Sequence, residues 1–158
     1  MRKIALSVVL TLLVACSSID CPLNNAVSAV YTLGGEVTEL SAYDTLTIWA
    51  VRGNGNDTVL NRLASASTFE LQMSYQQPTD ELVFCLTDTT DKQIMDTLYV
   101  NKTNEAHFES VDCQPNFFHH LTSLRCTHHM LDSVSIAEPH VNYDNTKTNI
   151  YLYFHSDD

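Results

Sequence analysis

The stretch Phe69-Glu70-Leu71-Gln72-Met73-Ser74-Tyr75 decides the fold class. Apolar and polar residues alternate strictly, so a strand puts Phe69, Leu71, Met73 and Tyr75 on one face and Glu70, Gln72 and Ser74 on the other. A helix would spread the same four apolar side chains over opposite sides of its axis. Upstream, Leu46, Ile48 and Ala50 alternate with Thr45, Thr47 and Trp49, and Val27, Ala29, Tyr31 and Leu33 with Ser28, Val30 and Thr32. Downstream, the residues 82–87, 94–100, 106–112, 118–126, 133–136 and 150–154 read as strands, and 58–61 adds a short one. Turn chemistry falls between them at Gly34-Gly35, Gly53-Asn54-Gly55-Asn56-Asp57, Gln77-Pro78-Thr79-Asp80, Thr89-Thr90-Asp91, Asn101-Lys102-Thr103-Asn104 and Tyr143-Asp144-Asn145-Thr146. No window offers capped helical periodicity over three turns. The expected fold is all-β, an antiparallel β-sandwich of immunoglobulin-like or related type.

The N-terminus reads differently. Met1-Arg2-Lys3 is a cationic start, and 4–14 is an apolar run broken only by Ser7 and Thr11. It is shorter than the roughly 20 residues a membrane-spanning helix needs. It fits the core of a secretory signal instead. The run ends in Leu13-Val14-Ala15-Cys16, which looks like a lipobox. A thiol is required to accept diacylglycerol as a thioether, and a small residue must precede the peptidase cut. The expected organisation is therefore a cleaved lipoprotein signal peptide at 1–15, a tether at 16–20 lipidated on Cys16 (palmitate among its acyl chains), and one domain at 21–158. Ser17 after the cysteine suggests the outer membrane. Asp20 is the only acidic residue of the tether, which favours the periplasmic leaflet over the cell surface.

Loss of Arg2 and Lys3 with the signal moves the formal net charge from −11 to −13. Nucleic acid is excluded as a partner, since phosphate contact depends on Lys and Arg. Anionic headgroups would repel such a surface, so the lipid must hold the domain to its membrane. Beyond Cys16, an even set remains: Cys21, Cys85, Cys113 and Cys126. Four cysteines in an exported chain allow three disulfide connectivities. Cys21–Cys113 with Cys85–Cys126 is the expected one, and buried thiols are the alternative.

Catalytic chemistry finds little purchase. There is no Gly-x-Ser-x-Gly elbow and no Cys-x-x-Cys or His-x-His. His119-His120 and His128-His129 invite a metal, yet adjacent strand residues point to opposite faces and cannot share one ion. The loop Asp88-Thr89-Thr90-Asp91 lacks the spacing and glycine of a calcium loop. The expectation is no enzyme, no metal and no cofactor. Five tripeptides, Asp44-Thr45-Leu46, Asp57-Thr58-Val59, Asp88-Thr89-Thr90, Asp96-Thr97-Leu98 and Asp132-Ser133-Val134, match a short bacterial O-glycosylation pattern, which makes Thr45, Thr58, Thr89, Thr97 and Ser133 acceptor candidates. The same pattern arises wherever a turn Asp precedes a β-branched residue opening a strand. Trp49, Phe117, Phe118, Tyr143, Tyr151 and Tyr153 are the aromatic residues that could line a binding surface. Tyr151 and Tyr153 lie opposite Ile150, Leu152 and Phe154, and form the expected partner stripe.

Several stretches together resemble an uncharacterised lipoprotein family, a domain of unknown function, of Bacteroides-type bacteria. They are Asp20-Cys21-Pro22-Leu23-Asn24-Asn25, Asp44-Thr45-Leu46-Thr47, Asn56-Asp57-Thr58-Val59-Leu60-Asn61, Met73-Ser74-Tyr75, His107-Phe108-Glu109-Ser110-Val111-Asp112-Cys113-Gln114-Pro115 and Val141-Asn142-Tyr143-Asp144. The resemblance implies an envelope compartment and carries no activity. The expected function is a non-catalytic module that binds or helps assemble a protein near the membrane, an outer-membrane β-barrel being the natural candidate. The alternative is a glycan-binding or glycan-processing lipoprotein.

Overall fold

The computed structural model describes Cys21 and residues 27–156. The expected signal peptide at 1–15 and the expected lipidation at Cys16 lie outside these residues. Among them there is no helix. The strands are β1 (Ser28–Gly34), β2 (Thr45–Arg52), β3 (Gly55–Leu63), β4 (Thr68–Gln72), β5 (Thr79–Thr87), β6 (Gln93–His107), β7 (Asn116–Cys126), β8 (Leu131–Ile136), β9 (His140–Val141) and β10 (Ile150–Phe154). They form an all-β sandwich of a four-stranded sheet, β4-β1-β10-β8, and a six-stranded sheet, β3-β2-β5-β6-β7-β9.

Alternation places the core. From the smaller sheet Ala29, Tyr31, Leu33, Phe69, Leu71, Leu131, Ile150 and Leu152 point inward, and from the larger Leu46, Ile48, Leu82, Phe84, Leu98, Val100 and Leu121. Phe69 bridges the layers, stacked on Tyr31 at 5.3 Å and meeting Phe84 at 6.5 Å. All strand pairs are antiparallel except β1 and β10, which run parallel with Tyr31 opposite Ile150. Asn149 locks that pair: its Oδ1 accepts from the Val30 amide and its own amide donates to the Val30 carbonyl, each at 2.9 Å.

Two expected features are corrected. The polar run Asn101-Lys102-Thr103-Asn104 is no turn but the middle of β6, which continues unbroken to His107. Its side chains are satisfied by groups far along the chain: Lys102 by Asp80 and Gln77, Asn104 by Tyr75 and His119. The connection to β7 comes later, at 108–115. The short β9 carries no sequence signal of its own.

Cys21 and Cys113 are joined, with Cα atoms 5.5 Å apart. Cys85 and Cys126 are not; both are free buried thiols. β6 separates their strands, with Cys85 opposite Met95 and Cys126 opposite Leu98. Two strand spacings of about 4.8 Å, added to that offset along β6, exceed the roughly 7 Å limit for a disulfide. The two thiols also differ in phase: Cys126 belongs to the core, whereas Cys85 shares the outward phase of Val83.

Candidate functional site

The outer face of the smaller sheet carries Tyr151 and Tyr153, both half-buried, with rings 6.3 Å apart. Tyr153 lies over glycine: a Cβ on Gly34 would meet its ring at 2.9 Å, and one on Gly35 at 3.2 Å. Gly35 also has φ +81°, a conformation side chains disfavour. The expected stripe thus points outward but is sunk into a trough cut for it, with Ser135 3.4 Å from the Tyr153 hydroxyl.

The larger sheet presents a second outer face. Trp49, Val83 and Tyr99 sit on neighbouring strands in outward phase, half-buried and outside the core cluster. Arg125 of β7 stacks on Tyr99, its guanidinium carbon 3.8 Å from the ring centroid. Met95 extends this face and is exposed. Trp, Tyr, Arg and Met are the residue types that protein interfaces favour. Sequence reasoning named Trp49 alone here; the opposite phase of Tyr99 to Leu98 and Val100 was the available signal.

A third cluster lies where β6 and β7 run past the rest of the sheet. His107 stacks on Phe118 at 4.4 Å, Tyr143 meets Phe118 edge-on at 4.9 Å, and Tyr75 stacks on Phe117 at 4.9 Å. Asn116 donates to the Tyr143 hydroxyl. Desolvation first, then a hydrogen bond to Glu109, pushes the Tyr143 phenol up.

The histidines divide as strand geometry requires. His119 is buried, with Nδ1 2.8 Å from Asn104 Oδ1 and Nε2 unpartnered. His120 faces out and meets His140, Nδ1 to Nδ1, at 3.4 Å. Burial, reinforced by Lys102, lowers the His119 pKa to about 4. Lys102 and Asp80 form a buried ion pair at 2.8 Å, and burial depresses the Lys102 pKa against the pull of Asp80. His129 places Nδ1 3.0 Å from Asp96, and His128 Nδ1 is 2.9 Å from the Asp132 carbonyl. Among the described residues no group of three or more His, Cys, Asp or Glu is placed to hold a metal.

Asp96 is a hub. Its buried carboxylate accepts from the Thr127 hydroxyl at 2.5 Å, the Met130 and Leu131 amides at 2.8 Å, and the His129 amide at 3.0 Å. Burial opposes its ionisation most, but these donors together bring its pKa down to about 2. Asp88 is held within its own turn: its Oδ1 accepts from the Thr90 hydroxyl and amide and from the Lys92 amide, which hold it below the ordinary carboxylate range. Of the five hydroxyl acceptor candidates, Thr58 and Thr89 are exposed, while Thr45, Thr97 and Ser133 are half-buried.

A cleft of about 320 Å³ opens beside Asp44, Asp88, Lys92, His129 and His155. A glycosidic general acid needs a raised pKa, whereas Asp88 there moves down.

No curated protein and no solved structure matches this chain. A family model does, across residues 45–154, which span β2 to β10. The chain belongs to that family, DUF6452, a family of unknown function.

Proposed function

We propose that the chain is an envelope lipoprotein of Bacteroides-type bacteria, anchored through Cys16 in the periplasmic leaflet of the outer membrane. Its sandwich is non-catalytic and docks a protein partner, an outer-membrane β-barrel being the natural candidate. The observation that supports this most is the outer face of the larger sheet, where Trp49, Val83, Tyr99 with Arg125, and Met95 lie outside the core. The Cys21–Cys113 link adds support, since it fastens the chain five residues behind Cys16 directly to the folded domain.

Crosslinking in intact cells, followed by recovery of the tagged full-length protein and mass spectrometry, tests the reading. A dominant envelope protein that is recovered by the natural chain and lost with Trp49→Ala/Tyr99→Ala supports it. Recovery of no envelope protein above control sinks it. A Tyr151→Ala/Tyr153→Ala chain, run in parallel, shows whether the smaller sheet contributes. Retention on an immobilised glycan without any protein partner would instead favour the glycan-binding alternative.

A further inference from the structure

Seven large apolar side chains are exposed among the described residues, and they are not scattered. Tyr43, Ile94 and Met95 lie at the end of the sandwich where β6 begins. The other four gather at the opposite end: Phe108 and Val111 in the β6–β7 loop, 62% and 96% exposed, with Tyr75 and Tyr143 packed beside it on Phe117 and Phe118, 44% and 53% exposed. Nothing in the packing of the domain requires Val111 to be apolar. Cys113, in the same loop, is the residue that holds Cys21.

We infer that this end is a membrane-contacting tip, with Phe108 and Val111 entering the interfacial layer of a zwitterionic bilayer and Tyr75 and Tyr143 at headgroup level. The inference rests on the lipid-anchored reading above and adds an orientation to it. Lengths decide which end can reach the bilayer. From Cys16 to Cys21 an extended chain covers about 17 Å. From Gln93 to His107 the strand β6 covers about 45 Å. The tether therefore brings the Cys113 end to the surface while the Tyr43 end stands off. Tyrosine suits the boundary because its ring is apolar and its hydroxyl is wet. Two apolar residues give weak insertion on their own, and an acyl anchor supplies the rest. Glu109 and Asp112 in the loop set the lipid preference, since anionic headgroups would repel them.

The test uses the mature chain coupled through Cys16 to a maleimide phospholipid in phosphatidylcholine–phosphatidylethanolamine vesicles; Cys21 and Cys113 are bonded and the remaining thiols are buried. Trp49, the one tryptophan, is replaced by Phe, and a reporter is placed by Val111→Trp or, at the far end, by Tyr43→Trp. Both positions are exposed, so folding tolerates the change. The expected result is at least about twofold stronger quenching by lipids brominated near the carbonyls for the Val111→Trp reporter than for Tyr43→Trp, reduced when phosphatidylglycerol is added. Equal quenching at the two positions overturns the tip. Separately, the mass of the cell-derived protein reports on Cys16: acyl chains there support the premise, and their absence removes the anchor and overturns the inference through it.

Discussion

The two halves of β6 handle a buried charge in opposite ways. In the first half, Asp96 is surrounded by donors, and each of its oxygens is used. In the second half, Lys102 finds one carboxylate and one carbonyl, and its neighbour His119 keeps an unpartnered Nε2. A fully satisfied buried carboxylate organises the loop 127–131 and favours its charged form. A partly satisfied interior next to a buried ammonium favours a neutral imidazole. One strand therefore has an end built for rigidity and an end that tolerates an incomplete network.

Removing the hub should have the largest effect. Asp96→Ala leaves the Met130 and Leu131 amides buried without an acceptor, and is expected to cost about 3–5 kcal/mol in denaturant unfolding. A loss below about 1 kcal/mol would show that water or rearrangement replaces the carboxylate, and the contrast between the halves would fail. Lys102→Met strands Asp80 as a buried, unpaired charge and should cost about 3 kcal/mol. Adding Asp80→Asn, which keeps an acceptor for the Ser74 amide, should recover at least half of that loss. Equal losses in the single and double variants would show that the pair is not electrostatically coupled.

Acid separates the halves by pH. The folded pKa of His119, about 4, lies below its ordinary 6.5, so the unfolded state binds the proton more readily. Stability is then complete above pH 6.5 and falls by about 3 kcal/mol as pH drops towards 4. Asp96 has a folded pKa of about 2 against 3.8, so its contribution, about 2 kcal/mol, is present above pH 3.8 and lost as pH falls through 2. Unfolding free energies measured across pH 2–8 should show both steps, and His119→Gln should abolish the upper one only. A single step at carboxylate pH in the natural chain would refute the assignment to His119. The smallest effect is expected at the loop: Val111→Ser should change stability by less than about 0.5 kcal/mol, because its side chain is 96% exposed.

Much of the sandwich is legible in residue alternation. Phe69, Leu71 and Met73 are buried as their spacing requires, and β10 spans the expected residues 150–154. Alternation fails where burial is polar. Lys102 and His119 are buried and Asn104 is half-buried, yet all three read as turn or surface residues because the partners that hold them are distant in sequence. The two unbridged thiols show the same limit, since cysteine count carries no information on strand order. Of the site, Trp49, Phe118 and Tyr143 are visible as aromatic candidates, but their gathering on one face or at one end depends on register. Phe108 and Val111 sit in a stretch that scores as strand, and only the long β6–β7 hairpin exposes them at a loop.

The parallel pairing of β1 with β10 dictates when the protein can exist as a folded object. β10 stands between β1 and β8, so the smaller sheet has no continuous form until the last strand has been delivered. A chain emerging N-terminus first exposes a two-stranded ribbon of β4 and β1 and a lone β8, each with an open edge. Assembly of the smaller sheet is therefore deferred until β10 is available, and the unfinished chain depends on protection from aggregation in the interval. Deleting the final strand would not trim the molecule; it would leave β1 and β8 facing a gap the width of one strand.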